Sequence, residues 1–274
     1  MISRHHAEGW QLDGNSAEAY EEYFGTAFQP FAADLVRMAG VSGGDRVLDV
    51  GCGTGVVARE AAAAAGETGR VVGVDVNAEM LRVATAVSAG IRPRIEWRQG
   101  SAMSLPFTDA AFDVVTCEQA LAFFSDPVAA LAEMRRVLDR GGRAVVSVCR
   151  PINYSATYTI LADALDRHIG ADAGAMMRSP FSRWTPKEFR QLFTAAGFAE
   201  ARMRIEVAAL RYPSISELLR REAASSPLSG AVRSLSAEQR RELIHDLESQ
   251  LADCVDDDGI VCGIEVFVAV ARKG

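Results

Sequence analysis

The sequence has 274 residues, of which 49% are apolar, and a formal net charge of −7 at pH 7. A chain of this length buries enough surface to fold without disulfides or structural metals. The acidic balance argues against a broad surface for nucleic acid or for an anionic membrane. The five cysteines show no C-x-x-C spacing, so we expect reduced thiols and no metal site.

The chain also lacks the patterns of a membrane or secreted protein. No stretch approaches the ~18 uninterrupted apolar residues of a membrane span. The opening residues MISRHHAEGWQ contain no apolar signal-peptide centre, and we therefore expect a cytoplasmic protein. Short basic pairs are followed by a glutamate, as in Arg220-Arg221-Glu222, which favours a solvated helix face over a phosphate site.

Residues 17–39 have apolar side chains at helical spacing, interrupted by Gly25 and Pro30. This pattern predicts two short helices, and we expect residues 1–40 to form a helical lid.

Residues 41–150 alternate between strand-like and helical patterns. The strand-like runs are RVLDV, RVVGVDV, RIEWRQ, FDVVTC and RAVVSVC. Alternation of this kind predicts a parallel sheet covered by helices on both faces. We therefore expect an α/β protein with a doubly wound, mostly parallel, seven-stranded Rossmann-like sheet, in which residues 41–150 form the first part of the core.

The pattern changes after Arg150. We expect residues 151–183 and 212–258 to be helical cap insertions, the second with charged helices at 215–224 and 237–253 around the loop SSPLSG. Residues 184–211 and 259–274 should complete the core. Within them, Thr185 is predicted to cap a helix that has Pro186 at its first position and Gly197 as its terminator.

The run DVGCGTG places three glycines directly after an apolar strand. Glycines at this position let a nucleotide-type ligand approach the backbone at the carboxyl edge of the sheet. A P-loop is excluded by its spacing, and a dinucleotide fingerprint needs a small residue where Val56 stands. Asp49 at the strand tip would repel a phosphate. Asp75 ends the next strand, where a carboxylate can hold a ribose diol or cap the following helix.

These motifs resemble those of the class I S-adenosylmethionine-dependent methyltransferases. VLDVGCGTG is similar to the first motif of that family and VVGVDVNAEML to its second. RQGSAMSLPFTDAAFDVVTCEQAL and LAEMRRVLDRGGRAVVSV resemble the strands and helix that follow. The resemblance covers about residues 41–149 and is strongest to the group containing quinone-biosynthesis methyltransferases and enzymes of specialised metabolism.

The resemblance implies S-adenosyl-L-methionine as the cofactor, bound by the core at residues 41–150. It also implies an acceptor pocket under the helical caps at residues 151–183 and 212–258. Asp75 would hold the ribose hydroxyls, and Glu118 and Gln119 would face the methyl group. The family commonly has an acidic residue after the third strand, whereas this chain has Ser101 there. The positions that the resemblance places around the cofactor are Asp49, Gly51, Cys52, Gly53, Asp75, Val76, Met80, Ser101, Ala102, Met103, Glu118 and Gln119.

No residue is assigned to catalysis from the sequence. His5, His6 and His168 are the candidates for a general base, although the first two could be disordered and His168 could be a charge partner at a helix C-terminus. The candidates for acceptor binding are Tyr20, Phe24, Phe123 and His168, and the aromatic residues among them could equally be core.

We therefore expect methyl transfer to a small, largely apolar metabolite by in-line displacement driven mainly by positioning. The sequence does not determine whether an O, N or C atom is methylated, or whether the protein forms a homodimer. An NAD-dependent oxidoreductase and a non-catalytic protein that retains the cofactor are the alternatives.

Overall fold

The computed structural model describes residues 16–274. His5 and His6 lie outside this part of the chain. Its helices are α1 (Ser16–Tyr20), α2 (Thr26–Ala39), α3 (Val56–Ala65), α4 (Ala78–Val87), α5 (Pro127–Val137), α6 (Ala156–His168), α7 (Ala171–Arg178), α8 (Pro186–Ala195), α9 (Ile215–Ala224), α10 (Ser229–Arg233) and α11 (Ala237–Gln250).

The strands form one mixed sheet. They are β1 (Arg46–Val50), β2 (Arg70–Asp75), β3 (Glu96–Gln99), β4 (Phe112–Glu118), β5 (Leu138–Cys149), β6 (Glu200–Tyr212), β7 (Val255–Asp256) and β8 (Gly259–Arg272).

The sheet has the order β3-β2-β1-β4-β5-β8-β6, and β7 pairs with β8 beside this path. Strands β1 to β5 pair in parallel, whereas β8 is antiparallel to both β5 and β6. The predicted seven-stranded, mostly parallel sheet is confirmed, and the two-residue β7 adds an eighth strand. Because β1 lies between β2 and β4, the chain reverses its winding direction there, which is where open α/β sheets bind ligands.

Helices cover both faces of the sheet. One buried cluster joins α2, α3, α6 and α9 to one face, and a second joins α5 and α8 to the other. This confirms the doubly wound arrangement. Among residues 16–274, no helix is long and apolar enough to cross a membrane.

The N-terminal segment differs from its prediction of two short helices. Helices α1 and α2 are joined without a break by a π-helical turn, Glu21–Gly25, and Pro30 lies inside α2. Phe24, Phe28 and Phe31 pack against the first core cluster. Tertiary packing of this aromatic face therefore outweighs the local cost of glycine and proline.

The later helices follow their predictions with small shifts. Thr185 and Glu188 form a capping box at the start of α8, Pro186 is its first residue, and Gly197 follows it with a φ of +83°. Helix α11 ends at Gln250 rather than at residue 253, and α10 forms where part of a loop was expected.

Candidate functional site

A cavity opens at the carboxyl ends of β1, β2 and β4. One side of it is formed by the glycine turn after β1 together with the tips of β2 and β4. The other side is formed by residues of the N-terminal helices, of α6, α7 and α9, and of β5 and β8. We call these the strand-tip side and the cap side.

The three glycines of the turn all have positive φ, but they serve different purposes. A Cβ at Gly51 would overlap Ala120, and a Cβ at Gly55 would overlap the Trp97 ring. A Cβ at Gly53 would meet no protein atom within 4 Å. Gly53 is therefore the glycine that leaves room in the cavity, whereas the other two permit close packing.

Asp75 binds the backbone of two neighbouring turns. Its Oδ2 accepts a hydrogen bond from the Gly53 amide and its Oδ1 accepts one from the Asn77 amide, both at 2.8 Å. Burial raises the pKa of the Asp75 carboxyl despite these bonds. Asp75 does not cap α4, because the Asn77 side chain accepts from the Glu79 and Met80 amides.

Asp49 and Glu118 lie at the tips of the adjacent strands β1 and β4. Thr116 Oγ1 donates to Asp49 Oδ1 at 2.9 Å. Burial raises the pKa of Asp49 to about 7. Burial, together with the charge of Asp49, raises the pKa of Glu118 to about 8. Both carboxyls therefore stand in a site where a nearby positive charge would favour their ionised forms.

Three buried oxygens at the strand tips have no hydrogen-bond partner within residues 16–274. They are Asp49 Oδ2, Glu118 Oε1 and Gln119 Oε1. Buried acceptors are normally satisfied, so these atoms indicate a ligand that brings donors or positive charge. The amino group and sulfonium of S-adenosylmethionine fit this set, and Asp75 fits its ribose hydroxyls. Val76 and Met80 supply the apolar surface that an adenine ring needs.

Most of the positions implied for the cofactor line this one cavity. They are Asp49, Gly51, Cys52, Gly53, Asp75, Val76, Met80, Ala102, Glu118 and Gln119. Ser101 and Met103 do not line it. The Ser101 hydroxyl accepts a hydrogen bond from the Met103 amide, and the Met103 side chain packs into the second core cluster. The turn after β3 therefore points these two side chains elsewhere and presents Gly100 and Ala102.

Arg59 connects the N-terminal helical segment to the strand-tip side. Arg59 donates to Glu21 at 2.6 Å and to the Thr54 carbonyl at 2.7 Å. This side chain ties the π-helical turn to the start of α3. It holds Tyr20 and Phe24, whose ring centroids are 5.5 Å apart, against the cavity.

The candidates for acceptor binding separate into two groups. Tyr20, Phe24 and Phe123 line the cavity, whereas His168 does not. His168 lies at the end of α6, where its Nε2 is 3.0 Å from Asp246 Oδ2. The placement of His168 in the acceptor pocket is therefore wrong, and its position matches a charge partner at a helix C-terminus.

Glu222 was missed by the sequence reasoning. Its predicted place on a solvated helix face is wrong, because Glu222 is only 4% exposed and lines the cap side. The buried face of α9 contains Ile215, Leu218, Leu219 and Glu222. Glu222 follows Ile215 by seven positions and therefore falls on the apolar stripe. That spacing is the signal that could have found it.

No group of three or more His, Cys, Asp and Glu side chains within the described residues could hold a metal ion. All five cysteines are free.

The comparisons with known proteins agree with this geometry. Residues 48–146 match the family model described as a methyltransferase domain. The 2-phytyl-1,4-naphtoquinone methyltransferase of Synechocystis is 40% identical over 116 residues, which are 42% of this chain and 49% of the relative. The chain thus spans about half the length of the curated relatives it matches.

Two solved structures share the fold. The YcgJ protein of Bacillus subtilis has a TM-score of 0.62 and 21% identity, covering 89% of this chain and 98% of that one. The [4+2]-cyclase SpnF has a TM-score of 0.56 and 21% identity, and the match covers 99% of this chain and 88% of that one. Residues 48–146 thus match a methyltransferase domain, and the described part of the chain shares the fold of these solved structures.

Proposed function

We propose that the protein transfers the methyl group of S-adenosylmethionine to a small, largely apolar molecule related to quinones. The single observation that carries the proposal is one cavity joining the buried acidic strand tips to an aromatic cap side. A relative of the matching domain is named as a naphthoquinone methyltransferase, which supports the class of acceptor.

S-adenosylmethionine supplies an electrophilic methyl group on a positively charged sulfur. Asp75 and the Gly53 backbone bind at the ribose end, and Val76 and Met80 pack on the base. Asp49 is buried and Glu118 is partly buried, and both carboxyls favour the positive charge in their ionised forms. Tyr20, Phe24 and Phe123 exclude water from the acceptor and align it. Holding reactants in line supplies at most ~7–11 kcal/mol of barrier reduction, and no nucleophilic side chain is required.

The alternative of an NAD-dependent oxidoreductase finds little support in this cavity. Val56 begins α3 and lines the site where a dinucleotide fingerprint has a small residue. The fold alone does not decide the activity, because the [4+2]-cyclase SpnF has the same fold. The activity therefore needs a direct assay.

The cofactor is tested by titration calorimetry with S-adenosylhomocysteine, with NAD as the parallel ligand. We expect micromolar binding of the first and none of the second. Asp75→Asn should weaken S-adenosylhomocysteine binding by about 1–3 kcal/mol because it removes charged hydrogen bonds. Asp256→Asn is the matched control, since Asp256 pairs with Arg211 at an exposed position. Binding of NAD alone would overturn the proposed function.

Turnover is tested with isotopically labelled S-adenosylmethionine and 1,4-naphthohydroquinone as the acceptor probe. Label in the extracted naphthalene product supports methyl transfer. Binding of the cofactor without label transfer to this probe or to a panel of substituted phenols counts against catalysis and favours a protein that only retains the cofactor.

A further inference from the structure

Glu222 forms a buried cluster with two tyrosines on the cap side of the cavity. The hydroxyls of Tyr158 and Tyr212 each donate to Glu222 Oε1 at 2.7 Å. The three side chains come from α9, α6 and β6, and all are 4% exposed. Glu222 and Tyr158 line the cavity, so the cluster forms part of the cavity wall.

Both tyrosines use the same carboxylate oxygen. Oε2 accepts no hydrogen bond from residues 16–274, although the side chain faces the cavity. A buried carboxylate needs partners for both oxygens to offset its desolvation. Oε2 is not among the fully buried oxygens that lack a partner, so it keeps some open surface, and because Glu222 lines the cavity a ligand there can reach this oxygen.

Among residues 16–274, the titratable groups that interact with Glu222 include no cation that could neutralise it. Tyr158, Tyr212 and Cys262 interact with it from the elements packed against α9. The two arginines before it on α9 bind Glu217 instead. Burial raises the pKa of Glu222 to about 7, and the two tyrosine hydroxyls partly offset this rise. Near neutral pH, a substantial fraction of Glu222 is therefore an acceptor-only carboxylate.

Apart from Tyr20 and Tyr158, the rest of the cap side is apolar. Phe24, Cys149, Met177, Phe181 and Ile264 face the same space as Glu222. No Lys, Arg or His side chain of the described chain lines the cavity. A carboxylate or phosphate on the acceptor would meet four carboxyls of the cavity and no cationic side chain of the described chain, which is unfavourable in a buried site. A neutral hydrogen-bond donor on an aromatic body matches this surface.

We propose that Glu222 binds the methyl acceptor by accepting a hydrogen bond on Oε2 from its hydroxyl group, which makes the acceptor a neutral phenol or hydroquinone. Tyr158 and Tyr212 hold the carboxylate in place from its other oxygen. Glu222 is thus a specificity-determining residue, and this role rests on the proposed function because it concerns the second ligand of the same cavity.

The test compares naphthalene probes on protein saturated with S-adenosylhomocysteine. They are 1-naphthol, 1-methoxynaphthalene, 1-naphthoate and 1-naphthylmethylamine, titrated by calorimetry. We expect 1-naphthol to bind at least 10-fold more tightly than 1-methoxynaphthalene, which cannot donate, and 1-naphthoate not to bind. Equal affinity for the hydroxyl and methoxy probes, or no binding of 1-naphthol, overturns the proposal. Tightest binding of the ammonium probe also overturns it, in favour of an amine acceptor.

Glu222→Gln gives the decisive variant. The tyrosines can still donate to the amide oxygen, so the amide NH₂ takes the place of Oε2 and turns an acceptor into a donor. We expect the preference for 1-naphthol over 1-methoxynaphthalene to disappear or invert. Glu217→Gln, on the same helix and outside the cavity, should keep the preference. An unchanged preference in Glu222→Gln contradicts the proposal.

Tyr212→Phe provides a second variant should Glu222→Gln fold poorly. Loss of this donor destabilises the ionised carboxyl and raises the pKa of Glu222. The pH at which 1-naphthol binding is half-maximal should therefore move upward, and an unmoved profile counts against the role of Glu222. S-adenosylhomocysteine binding separates the two hypotheses. If wild type fails to bind it, the proposed function fails; if it binds but Glu222 does not govern probe choice, only this inference fails.

Discussion

The strand-tip side and the cap side of the cavity are built in different ways. The strand-tip side uses residues that end consecutive strands, and backbone amides hold its central carboxylate, Asp75. The cap side uses side chains from distant segments, and its central carboxylate, Glu222, is held by two tyrosine hydroxyls. Local backbone geometry thus determines the first side, whereas tertiary packing determines the second.

This difference predicts how each side tolerates substitution. Backbone amides remain when a side chain changes, so substitutions on the strand-tip side should affect binding mainly where the side chain contacts the ligand or fills its space. The cap side depends on three side chains meeting in one place, and loss of any one leaves buried polar groups without partners.

The largest expected effects distinguish Gly55, which permits close packing, from Gly53, which leaves room for the ligand. Gly55→Ala should lower the free energy of unfolding by about 2–4 kcal/mol, because a side chain at its positive φ is strained and its Cβ overlaps Trp97. Gly53→Ala has the backbone strain without the overlap, so it should cost only about 1–2 kcal/mol. It should nevertheless weaken S-adenosylhomocysteine binding at least 10-fold by filling the cavity.

Urea unfolding and calorimetric titration of both variants measure these two quantities. Wild-type affinity in Gly53→Ala would mean that the ligand does not approach this part of the turn. A fully stable Gly55→Ala would mean that Trp97 moves aside without cost.

The two sides also differ in how far the sequence alone predicts them. Short sequence motifs predict the parallel part of the sheet, the glycine turn and Asp75. The site follows from them because neighbouring strand ends meet at one edge of a parallel sheet. The charge pattern Arg-Arg-Glu predicts a solvated face for Glu222, whereas its spacing of seven residues from Ile215 matches the apolar stripe of α9. Its partners Tyr158 and Tyr212 lie 64 and 10 positions away along the chain, so no local sequence pattern predicts that the three side chains meet.

Ser101 and Met103 show that a motif can predict where a turn lies without predicting the directions of its side chains. The motif places the turn after β3 at the cavity, but the side-chain directions depend on the hydrogen bond between these two residues. The continuous N-terminal helix is a similar case, because the aromatic contacts that override Gly25 and Pro30 are made with residues far away in the sequence.

A second prediction concerns the pH dependence of stability on the cap side. The pKa of Glu222 is raised by burial from an ordinary 4.5 to about 7 in the folded protein. The folded state therefore binds more protons than the unfolded state between these values, and wild-type stability falls as pH rises through this window. Relative to wild type, Glu222→Gln should gain about 3 kcal/mol between pH 4.5 and pH 8.

Urea unfolding at both pH values gives this difference, with Glu217→Gln as the control. Glu217 has a pKa lowered to about 2 by its two arginines, so its variant should show no gain in this direction. Parallel pH curves for wild type and Glu222→Gln would mean that Glu222 titrates as an exposed residue does.

A third, smaller effect tests the charge of the strand-tip side. Glu118 and Asp49 have pKa values of about 8 and about 7, so raising the pH from 6 to 8 ionises both progressively. S-adenosylmethionine carries a positive charge that S-adenosylhomocysteine lacks. Its affinity relative to that of S-adenosylhomocysteine should rise about 10-fold over this range, which corresponds to one unit of pKa shift. Titrations of Glu118→Gln should show a smaller rise, and a constant ratio in wild type would indicate that neither carboxyl senses the sulfonium.

The smallest effect is expected at His168, which belongs to neither side. His168→Ala removes one hydrogen bond to Asp246, but Asp246 keeps those from Arg167 at 2.8 Å and from Gln250 at 2.7 Å. The free energy of unfolding should therefore fall by less than about 1 kcal/mol, as for other partly exposed pairs. Binding of S-adenosylhomocysteine and of 1-naphthol should not change. A 10-fold loss of 1-naphthol binding in this variant would bring His168 back as a candidate for acceptor binding, and would require α6 to move toward the cavity when the acceptor binds.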